Sequence, residues 1–153
     1  MEKTVKILAE HPFLKDLDPN LLRPIAGCAS NVSYEAGEMI YREEDDADQF
    51  LIILHGKVAV EIFVPGRGPL TIQTVGHGDV LGWSWLFPPY KRRFDARAVE
   101  PTRGVALDGR CLREMAEQDH DLGYELIKRF SRVAVERLQA TSRQLLDIYG
   151  KHA

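Results

Sequence analysis

The chain has no apolar run approaching the roughly 18 residues of a membrane span. Its longest, Phe50 to Leu54, has the length of a strand. The stretch Met1 to Leu14 mixes charges with single apolar residues and lacks the apolar centre of a secretory signal. These absences lead to the expectation of a cytoplasmic protein with no membrane partner. Charge of one sign is also missing: 20 Lys and Arg face 23 Asp and Glu, a formal net charge of -3. Such a chain has no general pull toward nucleic acid, and DNA contact would need a local basic patch. Cysteine is scarce, with only Cys28 and Cys111 far apart in helix-like segments. In a reducing compartment they are expected as two buried thiols rather than a disulfide.

Chemistry-bearing patterns are absent as well. The five histidines, His11, His55, His77, His120 and His152, show no metal-ligand spacing. The acidic stretch Glu43 to Asp48 lacks the spaced ligands and glycine of a calcium loop and reads as a solvated turn. No nucleophile elbow, Walker loop or Cys–His signature occurs, and Ser84 stands between two tryptophans with no paired base evident. No catalytic residue, no metal and no enzymatic activity are expected.

What is present fits one globular domain: 153 residues, 44% hydrophobic and 28% charged. Residues 1–30 read as helical, with Asp18 capping, Pro19 in the first turn, and Leu21, Leu22, Ile25 and Ala26 on one side. Pro24 weakens that helix. Residues 31–108 read as short strands with Gly-rich punctuation. Val58, Val60, Ile62 and Val64 alternate with period two, and Pro65 to Pro69 forms a hairpin tip. Residues 109–149 are helical again. Asp108 caps a short helix ending near Gln118, and Asp119 or His120 opens a longer one. Gly150 ends it, with Lys151 and His152 suited to its negative end. The fold class expected is α+β, mainly β: an antiparallel β-roll or jelly roll flanked by an N-terminal helix and a long C-terminal dimerisation helix. On that helix Ala134, Leu138, Thr141, Leu145 and Ile148 recur at spacings of four and three, a heptad stripe. Phe130 and Val133 lie on an adjacent strip that suits the roll. A helix with two apolar strips needs two partners, so a homodimer is expected. The alternative is a single amphipathic helix on its own core.

Along this order of helix, roll and long pairing helix stand Ala36-Gly37-Glu38, Asp45 with Ala47-Asp48, Phe50 to Gly56, Gly78-Asp79, Leu81-Gly82, Arg97-Ala98 and Arg137 to Ser142. In that order these residues resemble the cyclic nucleotide-binding domain of the catabolite activator protein family. The resemblance implies a phosphate-binding cassette with a one-turn helix, whose backbone N–H groups and arginine hold a cyclic phosphate. On this chain it runs from Leu81 to Ala98 and assigns Gly82, Trp83, Ser84, Arg92 and Arg93 to the ligand, with Thr141 and Ser142 on the dimer helix contacting the base. Trp83 stands where the family has a ribose-binding glutamate. Leaving that hydroxyl unpaired costs about 1–3 kcal/mol, or one to two decades of affinity. Phe94 replaces a small residue beside the phosphate, and Glu44 replaces a glycine in the upstream turn. Trp83, Trp85 and Phe87 either shape an altered pocket for a flat or apolar ligand or plug the site. Lys91-Arg92-Arg93 either holds an anion or forms a solvated edge. The family's transcription factors continue into a helix-turn-helix, whereas this sequence stops at Ala153, so no direct DNA binding is expected. The reading is a stand-alone, non-enzymatic ligand-sensing regulatory domain. It has no certain cofactor, with cyclic AMP or another small anion as the candidate ligand, and an unidentified protein partner. The rival is a ligand-free protein-interaction scaffold.

Overall fold

A computed structural model describes residues 2–150; the expectations for Lys151 and His152 lie outside them. The chain opens with α1 (Glu2–Glu10) and α2 (Pro19–Ala26). Asp18 caps α2 by accepting the Asn20 N–H at 2.9 Å, and the helix runs on through Pro24, which forgoes one backbone bond to the Asn20 carbonyl. Eight strands follow: β1 (Ala29–Tyr34), β2 (Met39–Tyr41), β3 (Gln49–His55), β4 (Lys57–Val64), β5 (Gly68–Gly76), β6 (Val80–Leu81), β7 (Asp95–Ala98) and β8 (Thr102–Asp108). They pair antiparallel in two four-stranded sheets, ordered β1-β8-β3-β6 and β2-β7-β4-β5. The chain closes with α3 (Gly109–Gln118) and the 31-residue α4 (His120–Gly150). This is the mainly-β α+β roll expected from the sequence. Among the described residues no helix is long and apolar enough to cross a membrane.

The apolar run of β3 serves both sides of its sheet. Leu51 and Ile53 face the second sheet with Val58, Val60, Val75, Leu81 and Ala96. Phe50 and Ile52 face the helices, where Trp85, Leu112, Leu122, Leu126 and Phe130 close a second cluster. Phe50 stacks on Trp85 at 5.4 Å, and Phe130 meets both rings edge-on at 5.0 and 5.6 Å.

One expectation is corrected here, and one pairing carries an irregularity. The irregularity in the β4–β5 pairing lies in β5, where Ile72 is the extra residue between the Val60–Gln73 and Glu61–Thr71 pairs. On β4 Val58 and Val60 face the core between the sheets, and on the other face Glu61 is buried under a bidentate ion pair from Arg97 at 3.1 Å. The cysteines are not separate thiols: Cys28 and Cys111 form a disulfide, with Cα atoms 6.0 Å apart. The β1–β8 pairing brings the end of α2 against the start of α3. It is extended by the Asp108 N–H donating to the Cys28 carbonyl at 3.0 Å. A separation of 83 residues hid that neighbourhood.

Candidate functional site

The segment from Gly82 to Phe94 leaves β6, crosses the surface as turns and returns into β7. The one-turn helix implied by the resemblance is not formed. Leu86 donates back to Trp83 and Tyr90 to Phe87, but Pro88 and Pro89 have no N–H to continue the ladder. Gly82 has φ +88°, and any side chain there would run into the Arg92 guanidinium.

Arg92 is the electrostatic centre of the site. It is 5% exposed, its Nη2 donates to the Gln49 carbonyl at 2.5 Å, and its Cζ lies 4.1 Å over the Tyr41 ring. Its backbone is clamped to the acidic turn, donating to Asp45 at 2.8 Å and accepting from Glu44 at 2.9 Å. Nε and Nη1 are buried without a hydrogen-bond partner. Burial lowers the Arg92 pKa; Tyr41, Asp48 and Asp45 oppose the shift. Burial raises the Tyr41 pKa, with Arg92 opposing it. A buried donor left unpaired costs about 1–3 kcal/mol, and more on a charged group. An anion beside Gly82 would remove that cost through charge-assisted bonds.

The basic run is divided three ways. Lys91 is drawn into a surface ion pair with Asp46. Arg92 points into the roll. Arg93 points outward, away from Arg92, because successive residues of an extended segment face opposite sides. The aromatics divide too. Trp85 is a core residue, Phe87 is exposed, and Trp83 is half-buried with the Arg137 guanidinium 5.4 Å over its ring. Arg137 also donates to the Val80 carbonyl, and burial lowers its pKa.

The structure therefore brings Gly82 and Arg92 together. Trp83, Ser84 and Arg93 instead line a cavity of about 330 Å³ outside the roll, against α4. A second cleft, of about 390 Å³, lies between Asp79 and Arg129, Arg132 and Arg137 of α4. Neither is lined by Gly82 or Arg92. Thr141 and Ser142 stand exposed on the distal part of α4, the Ser142 hydroxyl turned back on the Leu138 carbonyl at 2.9 Å. Within a single protomer they do not join the Gly82–Arg92 corner. Sequence reasoning missed Tyr41, and it gave Arg137 a part in the resemblance but no role at the site. Phe94 packs against the cluster between the sheets. Glu44 has φ +75°, consistent with a turn position that suits glycine. Among the described residues no cluster of three His, Cys, Asp or Glu could hold a metal.

The family model described as the cyclic nucleotide-binding domain matches residues 31–119. A solved structure from Geobacter metallireducens, described as a candidate cyclic nucleotide-binding protein, is 31% identical. It covers 87% of this chain and 96% of its own, with a TM-score of 0.78. The CRP-like cAMP-activated global transcriptional regulator of Mycobacterium tuberculosis is 24% identical over 143 residues. That match takes in 94% of this chain, which spans 62% of the regulator's length. The fold also recurs, at 24% identity and a TM-score of 0.72, in a cAMP-binding acyltransferase from Mycobacterium smegmatis, covering 91% of this chain and 42% of that one.

Proposed function

The chain belongs to the cyclic nucleotide-binding domain family, and from that premise we propose that it is a non-enzymatic, ligand-sensing regulatory domain. In this reading Arg92 binds a small anion beside Gly82, and α4 passes the binding event to a partner. The observation that carries it is the buried Arg92 guanidinium with Nε and Nη1 unpaired. A protein that only needed a filled roll would have an apolar side chain there, since burying a lone charge is costly. Trp83, in place of a ribose-binding carboxylate, makes a standard cyclic nucleotide a poor fit.

The same chain supports a homodimer through α4. Leu138, Leu145 and Ile148 are 67%, 51% and 55% exposed, on one stripe with Ala134 and Thr141. In such a dimer Thr141 and Ser142 would approach the base-binding side of a ligand, as the resemblance implies. In this reading the receiver is a cytoplasmic protein rather than DNA, a choice supported by a net charge of -3, which gives no general attraction to a polyanion.

Calorimetric titration with cyclic AMP and then cyclic GMP tests the reading. The expected result is weak or absent heat with the parent protein. Trp83→Glu should tighten cyclic AMP binding by at least tenfold, and Arg92→Met should abolish it. Micromolar binding by the parent protein would overturn the altered-site reading. The rival scaffold reading draws on Arg92 folding onto Tyr41 and Gln49 while Phe94 packs inside the roll. It predicts no binding in any variant, with Arg92→Met simply more stable.

A further inference from the structure

The cavity outside the roll has a composition of its own. Leu86, Ile127, Phe130 and Ala134 supply apolar walls, and the half-buried Trp83 ring completes them. At about 330 Å³ it reaches the size range of small-molecule sites, which combine apolar walls with a few placed polar groups. Here the polar groups are of one kind. Ser84 and Ser131 bring hydroxyls, Lys91 and Arg93 bring positive charge, and no carboxylate lines the space. Lys91 is already paired with Asp46. Arg93, exposed at the same wall, has no ion-pair partner among the described residues. An apolar chamber with one uncommitted guanidinium at its edge matches a ligand with an apolar body and a single anionic end.

Its position adds to the argument. One wall belongs to the turn segment that carries Arg92, the other to α4 at Ile127, Phe130 and Ala134. The turn segment is held from beneath, where Arg113 of α3 donates to the Trp85 carbonyl and stacks 4.1 Å over Tyr90. A molecule in this chamber would couple the segment that senses the roll's ligand to the helix that leaves the domain. Such coupling needs only that the two arrangements of loop and helix bind it with different affinity.

We infer that the cavity between the 83–93 segment and α4 is a second ligand site, separate from the roll, for a small amphipathic carboxylate whose anionic end meets Arg93. Decanoate is the probe, with decanol as its uncharged counterpart, read by calorimetry and by the tryptophan emission of Trp83 and Trp85 together in the parent protein. Decanoate is expected to bind saturably, and Arg93→Gln to weaken it by about tenfold while leaving decanol unchanged. Ala134→Phe, and Ser131→Phe as a second filling variant at an exposed position, should each abolish binding of both probes. Arg92→Met should leave decanoate binding intact, since Arg92 faces the roll. No saturable binding by the parent protein, or binding lost in Arg92→Met, would overturn the inference. So would a parent protein that ignores decanoate but changes oligomeric state in Ala134→Phe, which would assign the cavity to a second copy of the chain.

Discussion

The two halves of α4 carry similar numbers of apolar side chains and meet opposite fates. From His120 to Val133 the helix commits Leu122, Leu126 and Phe130 to the core and is tied down by its neighbours. Asp119 caps it, accepting the Asp121 and Leu122 N–H groups at 3.1 and 3.3 Å. Arg129 reaches across to the Phe13 and Lys15 carbonyls at 2.8 and 3.0 Å. From Leu138 to Gly150 every residue is exposed, including Leu138, Leu145, Leu146, Ile148 and Tyr149. The proximal half is stabilised by packing within this chain. The distal half continues as an extension of a helix already nucleated, since an isolated helix of that length is marginal in water. Its apolar face stays exposed, and nothing in the domain's own fold covers it.

The largest test of this contrast lies in the proximal half. Phe130→Ala removes the ring that touches Phe13, Phe50 and Trp85 and should cost about 3–5 kcal/mol in chemical unfolding. A loss under about 1 kcal/mol would mean that this half is not part of the core.

The matching change in the distal half is Leu138→Glu with Leu145→Glu. It should leave the unfolding of a protomer within about 0.5 kcal/mol of the parent, while sedimentation shows a dimer converted to monomers. A parent protein that is already monomeric at high concentration would remove the pairing role assigned to this stripe.

His11 sharpens the comparison through pH. It is 3% exposed, with Nδ1 accepting the Phe13 N–H at 3.1 Å and Nε2 at 3.1 Å from the Ile53 carbonyl. This arrangement holds the segment that Arg129 grips, and it requires a neutral ring. Desolvation lowers the His11 pKa below its usual 6.5. The unfolded chain therefore takes up the proton first, so stability is full above about pH 6.5 and falls as pH drops toward the folded pKa. Melting temperatures from pH 8 to 5 should fall more steeply for the parent than for His11→Gln. Equal slopes would separate His11 from the effect.

The smallest effect is expected at Glu44. Its φ of +75° costs a residue with a Cβ more than glycine, so Glu44→Gly should be neutral to stabilising by roughly 0.5–1 kcal/mol. The variant would thereby relax the turn clamping the Arg92 backbone without touching α4. A clear loss of stability would show that the Glu44 side chain does more than tolerate the turn.

Much of this was legible in the sequence. Asp18, Asp108 and Asp119 announced helix starts because a short polar side chain before an apolar-periodic run satisfies free N–H groups. The Phe50 to Leu54 run announced a strand, and the fold buries it on both faces. Gly82 and Arg92 were paired by resemblance, and the fold does place them in contact. Other features were not legible. The bulge at Ile72 of β5 is invisible in the sequence, since it depends on the register against β4. The disulfide depended on a strand pairing across 83 residues. Trp83, Trp85 and Phe87 read as one aromatic cluster, yet turns without a helical ladder send Trp85 into the core and Phe87 to the surface.

The sequence alone determined the order of elements, the two-strip character of α4 and the family, because these rest on local periodicity and short-range motifs. Tertiary structure alone decided which member of Lys91-Arg92-Arg93 is buried, which face of the 83–93 segment opens a cavity, and that the cysteines meet. Each of these depends on where residues distant in sequence are brought together, and burial and electrostatics act on that proximity.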